Sequence, residues 1–457
     1  MIRKIYLLKN KLVKISFQTP FARLSLIMFG MMILLSISGS MLAQSSVVPC
    51  SGWPICAGGW VPLTPATWLS MIHRFTVGIS GLALFVLFWK AWQTQRSRTI
   101  ILVSTTAAFI LFFAQALLGT RLVQDFPLYL VWLHRATAVA VWVALLIQVM
   151  SVGFLANTEA EERLEAEELS KRKGMLLDML LLTKPIVVAL LLVTTFAGMV
   201  IGARAWPALP ITFWTLLGGF LAAGGSGAIN QYIDRFDDLK MQRTQKRPIP
   251  AGRLTAGEGL AVGVAMIITS FYVMVAFVNL IAALLTLAGI IYYVLLYSIF
   301  LKKTTVQNIV IGGGAGAIPP LVGWAASTGG LNIPSLFLFA VVFLWTPPHF
   351  WALALVRRKD YARAGVPMLP VMRGEKETRK QVLIYTIELV ILTLLLPLFK
   401  LGGSVYLIGA SILGAWLLSA ALKVWRKGGN KLAWKMYRYS SMYLAFLFIV
   451  LMLDRLL

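Results

Sequence analysis

The chain has 457 residues, of which 59% are hydrophobic and 13% charged, against roughly 25% charged in a soluble domain. With a mean hydropathy of +0.81, a soluble globular enzyme and a disordered chain are both excluded. The 42 Lys and Arg outnumber the 17 Asp and Glu for a net charge of +25, but they punctuate long apolar runs as the inside anchors of a membrane protein do, so the expected partner is the lipid bilayer and not nucleic acid.

Thirteen apolar runs are long enough to cross a hydrocarbon core of roughly 30 Å as helices. They lie near 22–43, 66–90, 99–119, 128–155, 180–203, 211–232, 257–279, 281–300, 307–327, 335–356, 381–399, 403–425 and 438–456. The predicted fold class is therefore an all-α polytopic membrane protein with about 13 transmembrane helices, divided 4 + 9. The basic opening stretch to Lys14 precedes a run too long for a signal-peptide core, so the first helix is expected to stay. Lys and Arg are retained on the cytoplasmic side. The loops Gln93–Arg98, Arg235–Arg253, Lys302–Lys303, Arg357–Lys380 and Lys423–Arg438 are then inside, and the outside segments hold only Arg121, Arg204, Lys400 and Arg455. The expected location is the plasma membrane, with the N-terminus cytoplasmic and the C-terminus outside.

In the first outside loop, Cys50 and Cys56 face an oxidising exterior with five residues between them, and are expected as disulfide partners. Two of the three histidines follow in a repeat, His73-Arg74-Phe75-Thr76 and His134-Arg135-Ala136-Thr137, 61 residues apart. Both begin outside and lie about two turns into their helices, at roughly 10 Å depth, so the imidazoles could ligate one haem from both faces. Residues 157–174 hold six of the 17 acidic residues and read as a solvated linker helix without chemistry. They separate a four-helix unit, 1–156, from a nine-helix domain, 175–457.

At the inner end of the sixth span the sequence runs Asn230-Gln231-Tyr232-Ile233-Asp234-Arg235-Phe236-Asp237-Asp238. At about 100° per residue, Asn230, Asp234 and Asp238 share one helix face, with Asp237 at its edge. Clustered carboxylates repel unless a cation neutralises them, and hard oxygens suit Mg²⁺, which is usually shared with substrate phosphates. The following loop adds Lys240, Arg243, Lys246, Arg247 and Arg253, which can grip phosphate oxygens. Carboxylates, metal and basic side chains together describe a diphosphate site; the plainer alternative is a salt-bridged inside loop that only sets topology.

Downstream come Tyr297, Leu301-Lys302-Lys303-Thr304, the run Gln307-Asn308-Ile309-Val310-Ile311-Gly312-Gly313-Gly314-Ala315-Gly316-Ala317-Ile318-Pro319-Pro320, Trp345-Thr346-Pro347-Pro348-His349-Phe350-Trp351, and the loop Asp360-Tyr361-Ala362-Arg363-Ala364-Gly365-Val366-Pro367-Met368-Leu369-Pro370. The glycines serve either close helix packing or the lining of a ligand cavity.

Together with Asn230 to Pro250, these segments resemble the intramembrane polyprenyl transferase superfamily over about 175–457, most closely its haem O synthase (protoheme IX farnesyltransferase) branch. The resemblance implies farnesyl diphosphate and haem B as substrates and Mg²⁺ held by Asn230, Asp234, Asp238 and Asp360. It also implies that Arg243, Arg247, Lys302 and Tyr361 act at the diphosphate. Lys303 stands where that family usually has Arg. His349 is then either a porphyrin-site residue or a structural histidine bonded to a carbonyl freed by Pro347-Pro348. An aromatic quinone precursor as acceptor, and a non-catalytic haem-delivery protein, are the two alternatives. Ser38-Gly39-Ser40, the cysteine loop and the paired His-Arg helices resemble one half of haem A synthase over about 20–155. This implies a bound haem at His73 and His134, and implies haem A synthase or terminal oxidase assembly factors as partners. Ser70 replaces a glutamate usual in that family, so oxidation of a haem methyl group is not implied.

Overall fold

A computed structural model of the chain describes residues 17–43, 55, 64–124, 128–172 and 174–457. Cys50 and Cys56, and the disulfide expected of them, lie outside the described residues. In chain order the helices are α1 (Pro20–Ala43), α2 (Pro65–Thr94), α3 (Thr99–Gln124), α4 (Leu128–Leu155), α5 (Glu159–Lys171), α6 (Met175–Leu182), α7 (Pro185–Ala203), α8 (Leu209–Asp238), α9 (Ala256–Phe277), α10 (Leu280–Ile291), which continues as π-helical turns over Tyr292–Leu301, α11 (Asn308–Thr328), α12 (Ile333–Val356), α13 (Arg358–Arg363), α14 (Leu369–Met372), α15 (Gly374–Leu395), α16 (Ser404–Lys427) and α17 (Asn430–Leu456). Among the described residues there is no strand, and 13 helices are long and apolar enough to cross a membrane. The all-α polytopic fold follows: in hydrocarbon every backbone polar group must be satisfied within the segment, and a helix does this alone.

Helix starts obey local capping chemistry. Thr64, Thr158 and Asn332 each close a reciprocal capping box with the residue three positions on, supplying acceptors to orphan first-turn N–H groups. Proline at the first turn of α2, α7 and α12 gives up an N–H that the helix does not need.

The chain forms two compact units. One comprises Met1–Met175 with Thr255–Ile268, the other Leu176–Leu254 with Thr269–Leu457. In the first, α1 packs on α2 and α4, and α3 packs on α2 and α4, so α2 and α4 stand on one diagonal of a four-helix bundle. Its apolar centre includes Phe21, Met28, Leu84, Leu87 and Leu145. Lipid is as apolar as these side chains, so buried hydrogen bonds add specificity: Gln148 donates to Ser25 Oγ at 2.8 Å and Trp142 to Ser36 Oγ at 2.6 Å.

The acidic segment is mostly exposed, but two of its six glutamates, Glu162 and Glu165, are half-buried and engaged. Glu165 accepts from the Arg96 and Ser97 backbone N–H groups at 2.7 and 3.0 Å, Glu162 accepts from Gln95 at 2.9 Å, and Arg96 donates back to the Glu165 carbonyl at 2.7 Å. Glu258, fully buried at the start of α9, takes Arg96 at 3.3 Å and Arg172 at 2.9 Å. Glu162 and Glu165 fall opposite the turn between α2 and α3 and take its donors, and that contact is invisible to composition.

In the second unit α11 packs against α7, α10 and α12, and α7 meets α17. The closest approach is glycine against backbone: a Cβ on Gly323 would lie 1.8 Å from the Thr195 carbonyl oxygen, and one on Gly198 would lie 2.2 Å from that of Pro320. The glycines of the 311–316 run do something else. Gly312 and Gly314 leave room for the rings of Tyr297 and Tyr292, and Gly313 for Thr346. The run thus seats side chains delivered by the π-helical turns and α12.

Candidate active site

The last turns of α8 bury Asn230, Asp234 and Asp238, the last two at 2% and 1% exposure. Their shared face is built as the helical spacing predicts. Asn230 Nδ2 donates to Asp234 Oδ2 at 2.9 Å and to Ser298 Oγ at 3.1 Å. Lys302, at the end of the π-helical turns, pairs with Asp234. Arg247 pairs with Asp238 at 2.7 Å, held there by a loop of tight turns in which Thr244 Oγ1 donates to the Asp238 carbonyl at 3.0 Å. Asp237, at the edge of the face, takes Lys303 and Lys240.

The widened π-helical turns, a feature common at functional sites, bring Ser298 to the Tyr293 carbonyl at 2.9 Å and stack Tyr293 on Tyr297 with ring centroids 5.7 Å apart. Tyr297 belongs to the motif singled out in the sequence, whereas Tyr293 and Ser298 are site neighbours that sequence reasoning missed, because YYVLLYSIFL reads as an ordinary apolar span.

The most consequential residue missed is Lys184. It caps α7 in the left-handed region, φ 55°, and its Nζ donates to Asn230 Oδ1 at 2.5 Å and Tyr293 Oη at 3.3 Å. The sequence signal was available: a lone cation directly before a proline that opens a span. Burial, reinforced by the Arg247 charge, lowers the Lys184 ammonium to about 7. A lysine with a depressed pKa binds fewer protons folded than unfolded between pH 7 and its ordinary value near 10.4, so its contribution to stability improves as pH rises through that window. Anion binding has the opposite sign, since it needs the proton. Affinity for a diphosphate should fall as pH rises from about 7 to about 9 and stay flatter in Lys184→Arg, whose guanidinium does not titrate there. Calorimetry with a non-hydrolysable prenyl diphosphate analogue checks this; parallel pH curves for both proteins would remove Lys184 from the anion site.

Other expected site residues lie as follows. Arg243 is exposed and pairs with no carboxylate among the described residues, but it lies within electrostatic range of Tyr361, whose hydroxyl burial keeps protonated. Asp360 is held by Arg363 and, at 4.0 Å, Arg357. Among the described residues no three His, Cys, Asp or Glu side chains converge as a metal cluster, so Asp360 is not gathered with Asp234 and Asp238. Those two still fit a divalent cation: Asp234 Oδ1 is buried without a hydrogen-bond partner, an acceptor that the protein leaves to something else. His349 is buried on α12, its Nδ1 2.8 Å from Ser440 Oγ, with the Trp345 and Tyr437 ring centroids 4.3 and 4.5 Å from its own. Its hydrogen bond goes to α17 and not to a carbonyl freed by Pro347-Pro348.

In the first unit His73 Nδ1 is 2.8 Å from Ser38 Oγ and His134 Nε2 is 3.0 Å from the Gln115 amide. The two imidazoles are within electrostatic range of each other. Each lies against a glycine: a Cβ on Gly39 would meet the His73 ring at 3.4 Å, and one on Gly119 the His134 ring at 3.4 Å. Two imidazoles from diagonal helices, with small residues beside both, fit a planar iron chelate.

A profile of the UbiA prenyltransferase family matches residues 191–448. The chain is 41% identical to a protoheme IX farnesyltransferase of Roseiflexus sp. (strain RS-1), over 93% of this chain and 82% of that protein. It is 46% identical to one of Symbiobacterium thermophilum, over 65% of this chain and 98% of that protein. Among solved structures, one described as digeranylgeranylglyceryl phosphate synthase superposes with a TM-score of 0.54 at 18% identity, covering 62% of this chain and 99% of that one, a likeness of fold alone.

Proposed function

The chain belongs to the UbiA prenyltransferase family, and on that premise we propose that it transfers the farnesyl group of farnesyl diphosphate to a vinyl group of haem B, forming haem O. The observation that carries this reading is the buried carboxylate pair Asp234 and Asp238, ringed by Lys184, Lys302 and Arg247, in a chain 41% identical to a protoheme IX farnesyltransferase.

The chemistry asks for charge on the leaving group to be neutralised as it develops. Lys302, Arg247, Lys184 and the exposed Arg243 supply donors to the diphosphate oxygens. The allylic C–O bond then breaks with its electron pair leaving on diphosphate. Asp234 and Asp238, with Asn230 beside them, would hold Mg²⁺, which supplies Lewis-acid neutralisation of the phosphate oxygens. Asp360 joins them only by exchanging its arginines. The vinyl π electrons attack the allylic cation, and water adds to the new carbocation with loss of a proton to give the hydroxyl of haem O. Apolar helix walls keep other water from the cation. Trp345, His349 and Tyr437 form an aromatic stack suited to a porphyrin face.

Purified protein given haem B, farnesyl diphosphate and Mg²⁺ should yield haem O by mass spectrometry. Prenylation of an aromatic quinone precursor instead would favour the alternative acceptor, and no product with either would favour haem delivery.

The first unit is proposed to bind one haem through His73 and His134, as a haem A synthase-like half, in a six-coordinate low-spin site that moves electrons or stores haem. The near absence of basic residues from alternate loops supports a cytoplasmic transferase site and an outside C-terminus. An impermeant thiol reagent applied to intact cells after reduction should label Cys50 and Cys56 and spare a cysteine introduced at Thr244; the reverse pattern inverts the topology.

A further inference from the structure

The two imidazoles of the first unit are not held alike. Ser38 Oγ donates to the Leu35 carbonyl at 3.1 Å, so toward His73 it can only accept. The network thus assigns the His73 proton to Nδ1, facing Ser38 Oγ at 2.8 Å, and leaves the Nε2 lone pair to present. That is the arrangement in which a histidine is fixed for ligation, its second nitrogen bonded to an outer partner. In His134 the engaged nitrogen is Nε2 itself, 3.0 Å from the Gln115 amide, while His134 Nδ1 and Gln115 Oε1 are both buried without a partner. Turning the amide round exchanges donor for acceptor, but Nε2 stays occupied. Two buried polar atoms left unsatisfied at one contact mark an arrangement that a competing partner can displace.

We propose that Gln115 is an exchangeable latch on the haem site. Its amide covers His134 Nε2 until porphyrin iron replaces it, whereas His73, set by Ser38, is the standing ligand. This rests on the haem-binding reading of the first unit given above. The exchange is one of ligands only: the Gln115 hydrogen bond breaks, the Nε2 lone pair goes to iron, and no electron is transferred. Loading is then ordered, iron meeting His73 first and becoming low-spin when His134 is released. Apparent affinity is reduced by the fraction of molecules in which the latch is closed.

The full-length protein, stripped of haem in detergent, would be titrated with haemin and followed by the low-spin absorption bands and by electron paramagnetic resonance. Wild type should give a low-spin signal that is lost in His73→Ala and in His134→Ala; its absence from wild type would overturn the haem-binding reading and the latch with it. Given that signal, Gln115→Leu should bind about three- to tenfold more tightly, the scale of one hydrogen bond. Ser38→Ala should bind about 10- to 100-fold more weakly, the scale of a lost outer partner. Gln115→Asn, too short to reach Nε2, should follow Gln115→Leu and serves if the latter does not fold. Unchanged or weaker binding in the Gln115 variants would overturn the latch while leaving the haem site standing.

Discussion

Asp234→Asn should lower prenyl transfer by about 10²- to 10³-fold in kcat, the scale set by removing one preorganised charge from a site where charge develops. Asp234 is the meeting point of the site, taking Lys302 and Asn230 on Oδ2 and keeping Oδ1 free in the interior. The amide matches the carboxylate in shape but leaves the half-buried Lys302 ammonium uncompensated and offers no anion to a cation. Steady-state turnover of farnesyl diphosphate and haem B, at saturating Mg²⁺ and with thermal melting as a folding control, measures it. Most of the turnover surviving would mean that Asp234 does not serve the diphosphate. The spectrum of haem in the first unit should be unaffected.

A second large effect is expected at a residue with no proposed substrate contact. Glu258→Ala should destabilise the first unit by about 3–5 kcal/mol, because Arg96, 3% exposed, would lose its carboxylate while staying buried. Arg172, 25% exposed, can turn to water and adds less. The residual bond from Arg96 to the Glu165 carbonyl is neutral and does not replace an anion. Denaturation in detergent would show the loss, and the pair Arg96→Met with Glu258→Leu should recover much of it, since two apolar groups leave no unpaired charge. A shift below about 1 kcal/mol for Glu258→Ala would mean that Arg96 reaches solvent or another acceptor.

Both sites show what could be read from the chain alone. The i, i+4 spacing of Asn230, Asp234 and Asp238 put them on one face before any fold was known, since helical geometry is local. The same locality gave His73 and His134 their repeated H-R-x-T setting. It could not say that Lys184, 46 residues before Asn230, would cap a helix in the left-handed region with its ammonium 2.5 Å from Asn230 Oδ1. Nor could it say that Ser440 would take His349 at 2.8 Å across 91 residues. Among the glutamates of 159–168, charge density suggested solvent, and Glu159, Glu161, Glu167 and Glu168 are exposed, but the backbone donors of Arg96 and Ser97 claimed Glu165.

By itself, then, the sequence determined the quantities that depend on one segment at a time: an all-α polytopic membrane fold with 13 helices long and apolar enough to span, the faces those helices present, and the chemistry carried on each face. Apolar length and helical periodicity suffice for these because hydrocarbon forces each segment to satisfy its own backbone. Tertiary structure alone decided which charges meet. The rotation of each helix is set by close contacts such as Gly323 against Thr195 and Gly198 against Pro320, and the register of Lys302 by the extra residue that each π-helical turn inserts. A shift of one residue turns a helix by about 100°, which is enough to move Lys302 off Asp234, and no local rule in the sequence fixes that angle.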